Sequence, residues 1–431
     1  MRMLKPGTLL ILVLISSLLL KIAFIILSAN SAFICVDTYD YDNGAVSLLQ
    51  QHVFTSDYAL FFRPPLYPLF LALVYLFSFS NHLLVAVIQS IMLTFVALII
   101  YKIAKLLFSE ATALIAAAIF AFHPYFLDIA LKVASEPLFL LCSIMAIYAL
   151  IRYEKLMGRV GLLWFSGFCS GLAILTRPTF IIIVPVVLIW LFLLRKNFKY
   201  LCKVYAIFVI AILITLSPWI IRNNLVFKEF IYCNDSGGYI FFMGNSEENY
   251  ERMTTKDTER FKYLNSSGLA VNKMKQMMEK FEKEYGYSKL SPKEKEKLWY
   301  KEAFIYIADH KLQWVKGLFL KSWEYMRPYV NPMVYPTKYV ILTALVNGIL
   351  YLLGVIGLLR AFFSKKTRGV AALFLLYFLF SLLVHTFFLA SNRYRIVFID
   401  PYLYIFSAFG FMALLKSGFH WDRALKEEYQ I

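Results

Sequence analysis

Long apolar runs, most near 20 residues and separated by short polar clusters, set the pattern of this chain. A helix of about 20 residues matches the roughly 30 Å hydrocarbon core of a bilayer. The pattern therefore predicts an all-α polytopic membrane protein. Spans are expected at about 8–28, 82–102, 111–127, 137–153, 201–220, 340–360, 369–389 and 397–415. From Gly161 to Leu194 the chain is apolar, broken only by Thr176-Arg177-Pro178. One helix of that length would rise about 50 Å, so it reads as two short spans turning at Arg177. The run 64–79 reads as a helix lying along the surface, because a crossing there would put Lys102 and Lys105 on the wrong side.

The total is ten spans with both chain ends inside. Lys and Arg clusters between the runs then fall on the cytoplasmic side, as the positive-inside rule requires. The net charge of +17 follows from that pattern and not from nucleic-acid binding. The composition, 60% hydrophobic against about 45–50% for a soluble chain, agrees. The N-terminal apolar run is too long for a signal-peptide core and has no convincing cleavage site, so it reads as a retained first helix.

Two polar stretches break the rhythm. The first, residues 29–81, contains DTYDYDNGAVSLLQQHVFTSDYALFFRPPLYP, with Asp37, Asp40, Asp42, His52, Asp57 and Arg63-Pro64-Pro65. It is far longer than a helix connection needs and too aromatic to read as disordered. It is the expected catalytic loop. The second, 222–336, reads as a small extracytoplasmic domain, with turns at SGG and GNSEEN and two helical stretches. Ser291, Pro292 and Glu294 form a helix-start signature. Residues 311–327, with Trp314, Phe319 and Trp323 among lysines, read as an interfacial helix. The expected division is 1–221, 222–336 and 337–431.

Five cysteines show no CxxC pair and no metal spacing. Only Cys35 and Cys233 could meet outside the membrane, and a disulfide there is not expected.

Sorting the charges by side gathers Asp37, Asp40, Arg63, His123, Lys132, Glu136, Arg177, Arg222, Arg393 and Arg395 at the outer ends of the helices. Ionisable groups at that depth are expensive and are functional candidates by default. Carboxylates beside cations at one level fit a site that binds an anion and moves a proton, and a lipid phosphate would sit there. Plainer readings stand beside this one. Asp42 reads as a solvated group, Glu136 suits a helix N-terminus on dipole grounds alone, Arg177-Pro178 makes a polar turn, and Arg393 and Arg395 suit interfacial anchoring. His52, His123 and His385 read as structural. No Walker loop, GxSxG, HExxH or GxGxxG occurs, and the lopsided loops argue against a transporter built on paired broken helices.

DTYDYDNGAVSLL followed by RPPLYPLFLALVYLF resembles the first external loop of the GT-C membrane glycosyltransferases. The likeness is to the branch of the protein O-mannosyltransferases and the lipid A aminoarabinose transferase (glycosyltransferase family 39). ASEPLF, GLAILTRPTF, SPWIIRNNLVFKEF, NDSGGYIFFMGN and NRYRIVFIDPYL are similar to later blocks, in order, across about 36–405. The resemblance implies a GT-C-type fold with juxtamembrane helices in the first loop, loop-structuring roles for Tyr41, Pro64 and Pro65, and inverting transfer of a sugar. The donor would be a polyprenyl-phosphate sugar at the outer face of the cytoplasmic membrane, and the acceptor a glycan, lipid or protein.

Asp37 stands where that family has its catalytic aspartate. The next residue is Thr38, where the mannosyltransferases carry a second acid, which leaves Asp40 or Glu136 for that role, or nothing. A base must take the acceptor's proton, and Asp37 is the expected one. Arg63, Lys132, Arg177, Arg222, Arg393 and Arg395 are the candidates for the donor phosphate. A divalent ion, with Asp37 as a ligand, is left open. A transporter or flippase of lipid-linked sugars, or a glycan polymerase or ligase, are the rival readings.

Overall fold

The structure is a computed structural model. It describes residues 5–417 except 29–32, 36, 55–62, 79, 156–158, 195–196, 258, 260–266 and 334. Asp57, Arg2, Arg195, Lys196 and the tail beyond 417 lie outside the described residues.

Apolar runs become helices because a chain without water must satisfy its own backbone. α1 (Pro6–Leu27) starts with proline at its first position, where the missing N–H costs nothing. The long first loop is helical in two places, α2 (Thr38–Gln51) and α3 (Leu66–Ser78). Thirteen residues of α3 rise only about 20 Å, too short to cross, and Leu73, Leu76 and Phe77 remain exposed along it. This fits the surface helix expected at 64–79. α4 (His82–Leu107) is capped by Asn81, whose Oδ1 accepts from Leu83 N at 2.9 Å.

The expected third span is bent. α5 (Glu110–Phe122) and α6 (Pro124–Leu131) meet at 48°, because Pro124 cannot continue the ladder of the helix before it. α7 (Glu136–Lys155) crosses whole. The 161–194 stretch divides as expected, into α8 (Val160–Thr176) and a 3₁₀ turn from Pro178 leading into α9 (Ile183–Leu193). α10 (Phe198–Phe227) runs past 221, where a boundary was expected, and stops only at Lys228 with φ 59°.

The polar segment holds more helix than the sequence reading allowed. SGG and GNSEEN do not simply turn. They open α11 (Gly237–Gly244) and α12 (Glu247–Thr254), then come α13 (Ser267–Tyr285), α14 (Pro292–Asp309) and α15 (Lys311–Met326). The Ser291–Glu294 capping box is present, with Ser291 N donating to Glu294 at 2.9 Å. On α15, Leu312, Phe319 and Trp323 are exposed, as an interfacial helix requires.

α16 (Thr337–Phe363) and α17 (Arg368–Phe387) are long enough to span, while α18 (Asn392–Phe398) and α19 (Asp400–Ser417) form a second pair, bent by 68°. Among the described residues six helices can cross alone and eight if each bent pair is one span. The expected ten is reached only by adding α8 and α9, which are shorter. Gly357 and Gly410 let α16 and α19 touch backbone to backbone: a Cβ on either would lie about 2 Å from a carbonyl oxygen of the other helix. The fold is thus an all-helical multi-pass membrane protein, with Trp190, Phe139, Phe180, Tyr377 and Phe398 at the heart of its largest core.

Candidate active site

The short chain before α2 is tied to the α6–α7 junction. Val133 N donates to Phe33 O at 2.9 Å. Thr38 Oγ1 donates to Val133 O at 3.1 Å and accepts from Cys35 N at 2.8 Å. Tyr41 Oη bonds Ser135 at 3.1 Å. Thr38 therefore stands where a second acid was missed because it pins the loop. These ties place Asp37 beside Glu136, the first residue of α7.

Six charged side chains then form one chain of ion pairs. Arg63 Nη2 lies 2.9 Å from Asp37 Oδ1 and 2.6 Å from Asp40 Oδ2. Arg393 Nη1 lies 3.0 Å from Asp37 Oδ2. Its Nε donates to Glu136 Oε1 at 2.6 Å, and its Nη2 also contacts that oxygen. Arg177 Nη2 reaches the same oxygen at 2.8 Å. Asp37 thus joins Arg63 to Arg393, and Glu136 joins Arg393 to Arg177.

Glu136 is fully buried. Its other oxygen and Arg177 Nε have no hydrogen-bond partner among the described residues. Buried polar atoms left so are costly, and here both belong to one charge cluster. Burial alone would push the Asp37 carboxyl up, but Arg63, Arg393 and Arg177 outweigh it and hold it at about 2. Asp37 is therefore ionised at any physiological pH.

A cavity of about 560 Å³ opens on this cluster, a size typical of small-ligand pockets. Asp37, Arg63, Arg177 and Arg393 line it, with Tyr41, Pro64 and Tyr394. Pro65 is buried behind Pro64 and accepts from Leu69 N at 3.0 Å, starting α3.

Three expected cations stand elsewhere. Lys132 pairs with Asp128 at 2.5 Å on the edge of α6. Arg222 lies over the rings of Trp219 and Phe227. Arg395 is buried against Asp400 at 3.1 Å and donates to the carbonyls of Tyr325 and Arg327. None of the three lines the cavity. Asp40 acts through Arg63 and does not line it either. Asp42 is tied to Tyr75 at 2.5 Å and His82 at 2.9 Å, so it is no solvated loop acid. His123 bonds Asn347 at 3.1 Å, whereas His385 lines the cavity. All five cysteines are free.

A divalent ion at Asp37 does not fit the donor set. Both Asp37 oxygens face guanidinium groups, and no three His, Cys, Asp or Glu side chains converge among the described residues.

The same cavity is also lined by Tyr232, Asp235, Ser236, Lys293, Glu296 and Tyr300, which come from the loop before α11 and from α14. The sequence reading had no role for these. SGG was read as a turn and NDSGGYIFFMGN as a block similar to the family, but nothing in their spacing reveals that Asp235 lines the same cavity as Asp37.

Residues 62–221 match the family model described as dolichyl-phosphate-mannose-protein mannosyltransferase. No curated protein matches the chain. Among solved structures the chain is similar to the archaeal oligosaccharyltransferase AglB from Archaeoglobus fulgidus, in complex with an inhibitory peptide and a dolichol-phosphate. The TM-score is 0.58 at 15% identity, covering 98% of this chain and 52% of that one. The apo form of the Archaeoglobus fulgidus oligosaccharyltransferase gives 0.58 at 15% identity, over 97% and 52%. The form tethered with an acceptor peptide gives 0.57 at 14% identity, over 95% and 50%. The chain therefore spans about half the length of these enzymes, and the likeness is one of fold. The resemblance read from the sequence is met by that family model over residues 62–221, a stretch that begins after Asp37 and Asp40, and the likeness of fold to the oligosaccharyltransferase extends over nearly the whole chain.

Proposed function

We propose that this protein transfers a sugar, with inversion, from a polyprenyl-phosphate donor to an acceptor at the outer face of the cytoplasmic membrane. The observation that carries the reading is the linked cluster Arg63–Asp37–Arg393–Glu136–Arg177 at the ends of membrane helices, in which Arg63, Asp37, Arg393 and Arg177 line one cavity and Glu136 is buried behind them.

The cluster has the charges such a reaction needs. Arg63, Arg177 and Arg393 are matched by Asp37, Asp40 and Glu136, so the site is close to neutral when empty. A donor phosphate would compete with the carboxylates for the guanidinium forks, which suit its oxygens. Arg63 and Arg393 are partly open to the cavity, with about a quarter to a third of their side chains exposed. As phosphate draws these two away, Asp37 loses the charges that hold its carboxyl down, and its basicity rises. The acceptor hydroxyl gives its proton to Asp37 while its oxygen attacks the anomeric carbon from the face opposite the phosphate. The bond to phosphate breaks, and the electron pair leaves with the lipid phosphate, whose growing charge Arg63, Arg177 and Arg393 stabilise. The exposed face of α3, with Leu73, Leu76 and Phe77, would lie against the lipid chain beside Pro64.

Membrane vesicles with the outer face outward, supplied with labelled polyprenyl-phosphate sugar, test the reading. Asp37→Asn should lower transfer about 10²–10⁴-fold, the usual worth of a positioned base. Equal transfer by both forms would remove Asp37 from the mechanism. Movement of intact lipid-linked sugar with no bond cleavage would replace the enzyme reading by a flippase.

A further inference from the structure

The part of the cavity lining that comes from the loop before α11 and from α14 is held as firmly as the charge cluster. The loop before α11 is held from both sides. Trp219 Nε1 donates to Cys233 O at 2.7 Å, and Asn223 Nδ2 donates to Ile231 O at 2.8 Å. Both donors come from α10. Beyond the loop, Glu296 of α14 accepts from Gly238 N at 3.1 Å. A Cβ on Gly237 would fall 2.6 Å from that same carboxylate, and one on Gly238 would fall 2.5 Å from Glu296 O, so α11 and α14 are in backbone-level contact. Cys233 is fully buried. These ties fix the position of Asp235, which lines the cavity with Ser236, Lys293 and Tyr300. No cation forms an ion pair with Asp235 among the described residues.

We propose that Asp235 is the positioning residue of an acceptor subsite on this part of the lining, and that the subsite takes a neutral, polyhydroxylated acceptor, the hydroxyl groups of a carbohydrate. The inference rests on the reading above, because it gives the cavity a donor part and an acceptor part.

The chemistry of this lining selects this class. An ionised carboxylate with no cation accepts hydrogen bonds and donates none, so it wants hydroxyl donors. Bonds to a charged acceptor are about twice as strong as neutral ones. Ser236, Tyr300 and Tyr232 add groups that both give and take, and the tyrosine rings offer flat apolar faces. Lys293 in the same lining disfavours a cationic acceptor, and Asp235 with Glu296 disfavours an anionic one. A neutral polyol satisfies all of them. The donor phosphate is drawn to the guanidinium groups.

The subsite carries its own pH signature. Burial lifts the Asp235 carboxyl to about 6. A backbone N–H hydrogen bond and Lys295 oppose the rise, and Glu296 and Glu229 add to it. Lys293 and Tyr300 share the cavity, and Tyr287 lies within electrostatic reach. As pH falls through 6, Asp235 gains a proton and loses its acceptor role. Between pH 7.5 and pH 5 its ionised fraction drops about tenfold.

The test is binding of octyl β-glucoside, below its micelle concentration, to the full chain in lipid nanodiscs, read by saturation-transfer NMR. Wild type should bind about tenfold more weakly at pH 5 than at pH 7.5. Asp235→Asn should bind about tenfold more weakly at pH 7.5 and lose the pH dependence, and Asp235→Glu should restore both in part. A purely structural role for Asp235 would not produce that pH profile. Equal binding and an equal profile in wild type and Asp235→Asn would overturn the proposal. So would Asp235-dependent binding of a Ser/Thr peptide in place of the glucoside, which would point to a protein acceptor. Donor cleavage is measured separately. Its absence beside Asp235-dependent glucoside binding would sink the transferase reading and leave the carbohydrate subsite standing.

Discussion

Arg393 and Arg395 stand two residues apart on one seven-residue helix, α18, and they do opposite things. Arg395 is 3% exposed. Asp400, the carbonyls of Tyr325 and Arg327, and the hydroxyl of Tyr351 take its donors. It joins the loop after α15 to the bend between α18 and α19 and has little left to give a ligand. Arg393 has a third of its side chain open, faces the cavity, and is shared between two carboxylates that belong to different elements. The lesson is that an arginine's role follows from how its five donors are used. Satisfied within the protein, it is a joint. Held by acids at the edge of a cavity, it is available for exchange. Sequence alone assigns the two the same role, since both sit in NRYR.

The sharpest way to break this comparison is to remove the joint. Arg395→Ala leaves the buried Asp400 carboxylate with the Tyr351 hydroxyl but without its cation, and breaking such a pair typically costs about 3–5 kcal/mol. The expected outcome is a large fall in unfolding temperature of the detergent-purified chain, with the molecules that remain folded still binding donor lipid. Should Arg395→Ala unfold like wild type but lose donor binding, the two arginines would have to trade roles.

Next comes the exchangeable arginine. Arg393→Ala should lower transfer about 10²–10³-fold, the cost of losing one donor aimed at developing charge. Arg393→Lys should recover only part, because an ammonium cannot reproduce the fork shared between Asp37 and Glu136. The measurement is kcat at saturating donor, set beside the unfolding temperature. A drop in stability as large as that of Arg395→Ala, with kcat unchanged, would make Arg393 a second joint.

The two arginines also mark what the sequence made legible. The span pattern was readable because bilayer thickness fixes run length, and the break at Arg177 was readable from a 34-residue apolar stretch no single helix could use. The surface helix at 64–79 came from a charge count. The bends at His123-Pro124 and Ile399 were not foreseen. A broken span has the same hydropathy as a straight one, and the break matters only once neighbours pack against it. At the site, Asp37, Arg63, Glu136, Arg177 and Arg393 were all candidates, because charges at membrane depth are rare enough to stand out. Sorting them from Lys132, Arg222 and Arg395 needed the partners, which come from distant elements. Asp235 and Glu296 escaped notice for the opposite reason. They lie in a polar segment where acids are common, and only the fold turns them toward the cavity.

The smallest effect belongs to Lys132, and it sharpens the comparison from its quiet end. Its ammonium lies 2.5 Å from Asp128, one turn away on α6, and the pair is between a third and a half exposed. Exposed pairs of this kind are worth about 0–1 kcal/mol. What ties residue 132 to the fold is its carbonyl, which accepts from buried Gln89 at 2.7 Å, and any residue supplies that group. Lys132→Ala should therefore leave transfer within about twofold and stability within about 1 kcal/mol, measured on the same membranes as Arg393→Ala. A loss approaching that of Arg393→Ala would mean that Lys132 leaves Asp128 and swings toward the phosphate once donor is bound. In that case side-chain pairing in the empty cavity would be a poor guide to which cations the reaction uses, and the contrast between Arg393 and Arg395 would lose its force.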